Sequence, residues 1–285
     1  DFRRSRGLGD VYKRQFMVGV INNFGGFYGT EYYLHEAKMH GAKIELPCIN
    51  KSGHLTNIEG ATIYMGFIHI KELEQRTVEN LLAARQKGKF KSLQDFVKRV
   101  PVSLIQLRIL IRAGAFRFIG LGKKELYWEA HVLLGESKRS VPKLELFDTK
   151  PQIFQLPRLE YDNMEAFLDE LQCFGFPHRS PFDLLSTTFR GDVLAKDLMK
   201  HIGQTVRMVG YYVNIKNVKT VTGQLMNFGC FFDADGAFFD TVHFPQSIRR
   251  YPFTGKGCYL MRGKVTEEFG VAGLEVDRMA KLGWG

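Results

Sequence analysis

The sequence predicts an α+β multidomain chain, a helical region followed by a C-terminal all-β barrel. Three observations carry this expectation. The last third reads as short β-prone segments separated by turn residues. The stretch from 71 to 135 reads as short amphipathic helices with tight Gly or Pro stops. Between the two lies a Ser-, Lys- and Pro-containing piece with no apolar period.

The β-prone pieces are Thr205–Lys219, Leu225–Asp233, Ala237–Phe244, Gly257–Glu267 and Val271–Met279. Turn signals at Thr222-Gly223-Gln224, Ala234-Asp235-Gly236 and Phe269-Gly270 separate them, with a longer connection at Pro245–Thr254. Five strands with one long connection between the third and fourth fit an OB-fold, whose usual ligands are oligonucleotides or oligosaccharides. Alternation puts Met226, Phe228, Cys230 and Phe232 on one face of the second strand, with Asn227, Phe231 and Asp233 on the other. In the third strand Phe239, Thr241 and His243 oppose Phe238 and Val242. The mixed polar and aromatic face, with Phe231, Phe239 and His243, is the candidate surface for stacking bases, and core packing is its alternative. Arg207, Lys216 and Lys219 are the candidate phosphate contacts of this domain.

In the helical region, Arg76–Lys87 places Val78, Leu81 and Leu82 on one face and stops at Gly88. Ser92 opens the next helix, with Asp95 three residues on, and Pro101 ends it. Ser103 with Gln106 forms a capping-box pattern for a helix over Leu104–Ala113, and Lys123–Leu134 makes a further one. Upstream, Phe16–Ile21 is a short apolar run. Thr30 reads as the N-cap of a helix ending at Gly41, and Ile44–Ile49 and Ala61–Ile70 read as extended pieces. The Gly-rich 22–29 stretch lacks both common phosphate-loop patterns and reads as a turn.

Charge sharpens the division. Of the net +10, residues 71–140 carry fifteen bases against seven acids, whereas 141–200 carry seven against ten. A basic block beside an acidic one points to an anionic ligand, with a merely solvated helical surface as the alternative. Lys87, Lys89, Lys91, Arg108, Arg112, Lys123 and Lys124 lie near the helix ends, which suits a helix-hairpin-helix grip on DNA phosphates without base reading.

Other classes are excluded or set aside. No apolar run reaches the roughly 18 residues of a membrane helix, and no secretory h-region follows the basic start. Cys48, Cys173, Cys230 and Cys258 form no C-x-x-C pair, which excludes a zinc ribbon or disulfide framework and suits a cytoplasmic protein. Asp233-x-Asp235 has the look of a two-carboxylate metal site. It sits where two strands must turn, so ordinary Asp-Gly turn chemistry is the expectation and no metal site is assigned.

Met65-Gly66-Phe67 with Lys71, Lys89 through Phe96 (KFKSLQDF), Leu110 through Phe116 (LIRAGAF) and Met39-His40-Gly41-Ala42-Lys43-Ile44 together resemble the bacterial DNA polymerase III alpha subunit family, the family C polymerases. The resemblance covers essentially 16–284. It implies the end of the polymerase fingers at 16–70, a helix-hairpin-helix DNA-binding region at 71–135, a connector at 136–200 and an OB-fold nucleic-acid-binding domain at 201–285. The parent would be a DNA-directed DNA polymerase using Mg²⁺, with its catalytic carboxylates in a palm domain upstream. This segment would then be inactive by itself, bind duplex DNA and the single-stranded template, and meet other replicase subunits. Lys143-Leu144-Glu145-Leu146-Phe147 is similar to the family's Gln-led clamp-binding peptide. Lys143 replaces the Gln, while Leu144, Leu146 and Phe147 keep the apolar anchors for the sliding clamp. A linker segment that packs on its neighbour is the other reading. Where the family's first hairpin carries glycines, this chain has Lys71-Glu72-Leu73-Glu74, which weakens close approach of backbone to DNA there. Val11-Tyr12-Lys13-Arg14-Gln15 resembles a translated sequencing-adapter end, so residues 1–15 are expected to be an artefact. An error-prone translesion paralogue and a stand-alone OB-fold single-stranded-DNA-binding protein are the rival readings.

Overall fold

The computed structural model describes residues 2–24, 28–135, 162–219 and 223–284, and of residues 2–11 the backbone alone. The clamp-peptide residues Leu144, Leu146 and Phe147 lie outside the described residues. The chain divides into two compact units, residues 1–178 and 179–285.

The first unit opens with α1 (Phe2–Asn22), which runs through the stretch where the sequence suggests no element. Asn22, at its end, locks onto Thr56: its amide donates to the Thr56 carbonyl and accepts the Thr56 N–H, both at 2.8 Å. In α2 (Thr30–Met39), Gly29 occupies the N-cap position and Thr30 is the first helical residue, a correction to its expected capping role. Strands β1 (Lys43–Glu45), β2 (Asn57–Glu59) and β3 (Thr62–Tyr64) form a small sheet in the order β1-β3-β2.

Four helices follow the expected punctuation closely, α3 (Gln75–Arg85), α4 (Leu93–Arg99), α5 (Leu104–Arg112) and α6 (Lys123–Gly135), and α7 (Asn163–Phe174) forms within the stretch read as connector. Ser92 caps α4 by accepting the Asp95 N–H at 3.0 Å, and the Asp95 carboxylate accepts the Lys91 N–H in return. These helices are too short to persist alone, so their shared core holds them. Leu81, Leu93, Phe96, Leu107, Leu110 and Phe116 are all fully buried in one cluster. Phe96 packs edge-on against both Phe90 and Phe116.

In the second unit, β4 (Thr205–Lys219), β5 (Leu225–Phe232), β6 (Phe238–His243), β7 (Cys258–Glu268) and β8 (Val271–Lys281) close into a barrel of order β4-β5-β6-β8-β7. The β6–β8 pairing is parallel and the others are antiparallel. The short helix α8 (Pro245–Arg250) lies in the long connection between the third and fourth barrel strands, consistent with the expected OB-fold. Residues 179–200, read from sequence as connector, belong to this unit, where Leu185 bridges to Trp284 and Gly191 to Met208.

Candidate nucleic-acid interface

The turn between α3 and α4 is held by a residue the sequence reading passed over. Arg99 donates to the Ala84 and Gly88 carbonyls at 2.6 and 2.7 Å, pairs with Asp95 at 3.1 Å and lies over the Phe90 ring at 4.3 Å. It thereby adds a second donor to the Ala84 carbonyl, which also accepts the Lys87 N–H at 3.2 Å, and supplies one to the Gly88 carbonyl just beyond α3. Asn50 ties the same turn to the loop after β1 through two 2.9 Å bonds with the Phe90 backbone. The i, i+4 spacing of Asp95 and Arg99 is the signal that could have found this brace. On the turn so fixed, Lys87, Lys89 and Lys91 are exposed. Lys87 also lines a cleft of about 490 Å³ with Lys98, Arg99 and Pro101. Arg108 is exposed on α5 and sits 6.0 Å from the Tyr127 ring.

The other three bases expected to hold phosphate are already engaged. Lys123 donates to Asp169 at 2.9 Å and to the Arg112 carbonyl at 2.6 Å, Lys124 pairs with Glu165 at 2.9 Å, and Arg112 meets Gln172 at 3.2 Å. A hydrogen bond with Tyr127 holds the Arg112 guanidinium above its ordinary pKa. Charge counting treats each base as free, but the acidic face of α7 packs against these three and neutralises much of their positive charge. The hairpin in front of them, Gly120-Leu121-Gly122, was overlooked. Gly120 adopts φ +79, and the Gly122 N–H is taken by Glu125 at 2.8 Å. Gly-x-Gly before a helix start was the available signal.

The non-glycine hairpin at 71–74 forms nonetheless. Glu72 takes φ +61, a left-handed conformation that costs an L-residue roughly 1–2 kcal/mol. Gln106 holds it, donating to the Glu72 carbonyl at 3.1 Å and accepting the Glu74 N–H at 2.8 Å. The capping-box expectation for Gln106 is half met: its N–H is capped by Ser103, while its amide reaches across to the hairpin.

In the barrel the expected binding face is inverted. Phe231 and His243 are 0% exposed and Phe239 is 4% exposed, all pointing inward. The rings fit because two glycines make room. A Cβ at Gly210 would sit 2.6 Å from the Phe239 ring, and one at Gly229 would sit 2.8 Å from the Phe231 ring. Alternation separates two faces without saying which is inside, and aromatic size won over the polar members. Burial pushes the pKa of His243 down to about 4. Its Nε2 meets the Thr241 hydroxyl, which itself donates to the Gly229 carbonyl, so the neutral ring carries its proton on Nε2. The outer face carries Phe228, 40% exposed, directly opposite Lys216 in the β4–β5 pairing.

Lys216 and Lys219 are exposed and have no ion pair among the described residues. Arg207 is not available in the same way: it forks onto Asp192 at 2.8 and 2.9 Å and stacks over Phe189 at 4.8 Å. The Asp233 carboxylate accepts the N–H groups of Asp235, Ala237 and Ala195, and Asp235 pairs with Lys196 at 2.6 Å. Both are spent on the turn and do not fit a magnesium site. Among the described residues no cluster of three His, Cys, Asp or Glu could hold a metal ion, and no helix is long and apolar enough to cross a membrane.

A family profile described as a helix-hairpin-helix motif matches residues 41–126, the segment containing both hairpins and the lysine-bearing turn. The chain is 26% identical over 263 residues to the DNA polymerase III subunit alpha of Bacillus subtilis, covering 87% of this chain and 24% of that protein. It is 27% identical over 266 residues to the corresponding subunit of Borreliella burgdorferi, covering 84% and 23%. A shorter match of 108 residues reaches 33% identity with the error-prone DNA polymerase of Mycobacterium tuberculosis, covering 37% and 10%. The chain thus spans about a quarter of the length of its long-range relatives. With a helix-hairpin-helix region followed by a closed five-stranded barrel, the chain is similar to DNA polymerase III alpha subunits along most of its length.

Proposed function

We propose that this chain is the DNA-holding part of a DNA-directed DNA polymerase of the alpha-subunit kind, acting in DNA replication. The observation that carries the reading is the braced α3–α4 turn, which holds Lys87, Lys89 and Lys91 exposed and without partners among the described residues, inside the segment matching a helix-hairpin-helix motif. Three ammonium groups on a rigid turn suit sequence-indifferent contact with a phosphate backbone. The barrel takes the single-stranded template on its outer face, where Phe228 offers a ring for base stacking and Lys216 and Lys219 offer phosphate contacts. Arg108 adds to the helical grip.

The template-directed transfer of nucleotides with Mg²⁺ belongs to carboxylates in a palm domain of the parent. The present residues contribute positioning alone, so primer extension by this chain is expected to be absent. Leu144, Leu146 and Phe147 are the proposed anchors for the sliding clamp. A clamp pull-down unchanged by Leu146→Ala with Phe147→Ala removes that assignment.

Fluorescence anisotropy with a duplex at about 50 and about 200 mM salt tests the grip. Binding that weakens with salt, and weakens again in the Lys87→Glu, Lys89→Glu, Lys91→Glu triple variant, is the expected result. Binding unaffected by those three changes overturns it. An error-prone paralogue is a second reading, favoured by the higher local identity to such enzymes and by Glu72 in place of a hairpin glycine.

A further inference from the structure

A second cleft, on the barrel, has no place in the grip just described. It lies between α8 and β8, has a volume of about 850 Å³ and is lined in part by Phe244, Ser247, Arg249, Arg250, Glu275 and Arg278. A space of that size can enclose a small molecule or one unit of a polymer. Four features of its wall point to an anionic ligand with a polar, aromatic body.

Arg249, Arg250 and Arg278 have no hydrogen bond or ion pair among the described residues, although each lines the cleft. Arg278 lies directly across from Arg262 in the β7–β8 pairing. Like charges in that position repel, and Arg262 has turned to Asp277 at 3.3 Å, which leaves Arg278 uncompensated. Ser247 is 8% exposed and also lines the cleft, yet its hydroxyl has no partner. A buried hydroxyl without a bond is costly, and a ligand oxygen or nitrogen in the cleft would remove the cost. Phe244 is exposed at the wall and gives a ring face for a planar group.

The acidic lining matters equally. Asp277 is countered by Arg262, so Glu275 is the acidic group left to face a ligand. A carboxylate beside three arginines is unsuited to bare phosphate but suits a ligand that also bears N–H or O–H donors. Glu275 stands next to Val242 in the β6–β8 pairing, Val242 next to Phe228, and Phe228 next to Lys216. The outer-face row carrying the exposed ring therefore leads across the sheet to the cleft wall.

We propose that the cleft between α8 and β8 is a nucleotide-binding pocket, taking one nucleotide of a single strand that lies across the outer face of the barrel. The arginines hold its phosphate, Phe244 stacks on the base, and Ser247 and Glu275 pair with polar groups on base or sugar. Charge-assisted bonds of this type make each arginine worth about tenfold in affinity. The strand's position rests on the template reading above; the pocket itself does not.

The test uses the whole chain. A single-stranded oligodeoxynucleotide carrying 5-iodouracil is photo-crosslinked and the adduct mapped by mass spectrometry, and binding of deoxyadenosine monophosphate is titrated separately. Crosslinks at Phe244 or Tyr251, and at least tenfold weaker strand binding in Arg249→Glu with Arg250→Glu, are expected. Ser247→Ala, a smaller change, should weaken mononucleotide binding while leaving the melting temperature unchanged or higher. Strand binding with crosslinks confined to Phe228, unchanged in the arginine variant, overturns the pocket and leaves the template reading intact. Mononucleotide binding lost in the arginine variant, without any strand binding, upholds the pocket and removes the template reading. Binding of neither overturns both.

Discussion

Gln106 and Glu72 stand 34 positions apart in sequence and form one turn: the buried amide of the first donates to the backbone carbonyl of the second at 3.1 Å. The same amide accepts the Glu74 N–H, so both exposed ends of the hairpin peptide are satisfied by one side chain. A turn that would ordinarily use glycine is thus made from Lys-Glu-Leu-Glu by supplying the stabilisation from α5.

Removing that support has a predictable cost. Gln106→Ala leaves the Glu74 N–H and Glu72 carbonyl without their partner and is expected to lower stability by about 1–3 kcal/mol. Glu72→Gly relieves the left-handed strain at φ +61 and, after its own entropic cost, is expected to stabilise by up to about 1 kcal/mol. Urea denaturation of the two variants checks both signs; a neutral Gln106→Ala removes the assignment of the hairpin's support to α5.

The acidic face of α7 leads to a second expectation. Glu165 holds Lys124 and Asp169 holds Lys123, each at 2.9 Å, a distance a phosphate oxygen would use, and Asp169 also stands 3.8 Å from Arg112. Neutralising them in Glu165→Gln with Asp169→Asn is expected to raise duplex affinity several-fold and steepen its fall with log salt, because more cations become free to displace counterions. The stability cost should stay within about 1 kcal/mol for the more exposed Lys124 pair. Anisotropy across a salt series reads both quantities, and an unchanged slope shows that these three bases do not meet DNA even when released.

How far these features were legible from sequence differs by kind. Strand limits such as Thr205–Lys219 and the Ser92 cap were readable because local chemistry sets them: turn residues stop strands, and a hydroxyl beside a helix start takes an N–H. The inward placement of Phe231 and Phe239 was not, since alternation divides a strand into two faces and only the closed barrel decides which is inside. The engagement of Lys123 by Asp169 was equally hidden, because the partners are 46 residues apart and on helices whose packing no local pattern encodes. Arg99 lay between these cases; its bond to Asp95 is local, whereas its bonds to Ala84 and Gly88 need the turn already formed.

Each compact unit also contains one buried neutral histidine, and this predicts an acid response. Burial lowers the pKa of both His69 and His243 from 6.5 to about 4. The unfolded chain therefore binds protons more readily than the folded one between these values, so the contribution is full above pH 6.5 and is lost as pH falls towards 4. The shifts correspond to roughly 3 kcal/mol for each site. Urea midpoints measured from pH 7 to pH 4.5 should fall, and His69→Gln and His243→Gln should each flatten the part of the decline belonging to its own unit. A decline unaltered by either substitution shows that other groups cause it.

The sharpest contrast concerns two phenylalanines three positions apart on β5. Phe231 is enclosed by Phe239, Phe253 and Tyr259, so Phe231→Ala empties the centre of the barrel and is expected to cost about 3–5 kcal/mol of stability. Phe228 projects from the outer face beside Lys216, so Phe228→Ala should leave stability nearly unchanged. If bases stack on that ring, the same change weakens single-strand binding by about 1–3 kcal/mol. Thermal melts and anisotropy on the two variants separate the roles. The outer-face assignment requires that Phe228→Ala lose binding with its melting temperature retained; a Phe228→Ala chain that binds as the parent does returns the stacking surface to some other part of the barrel.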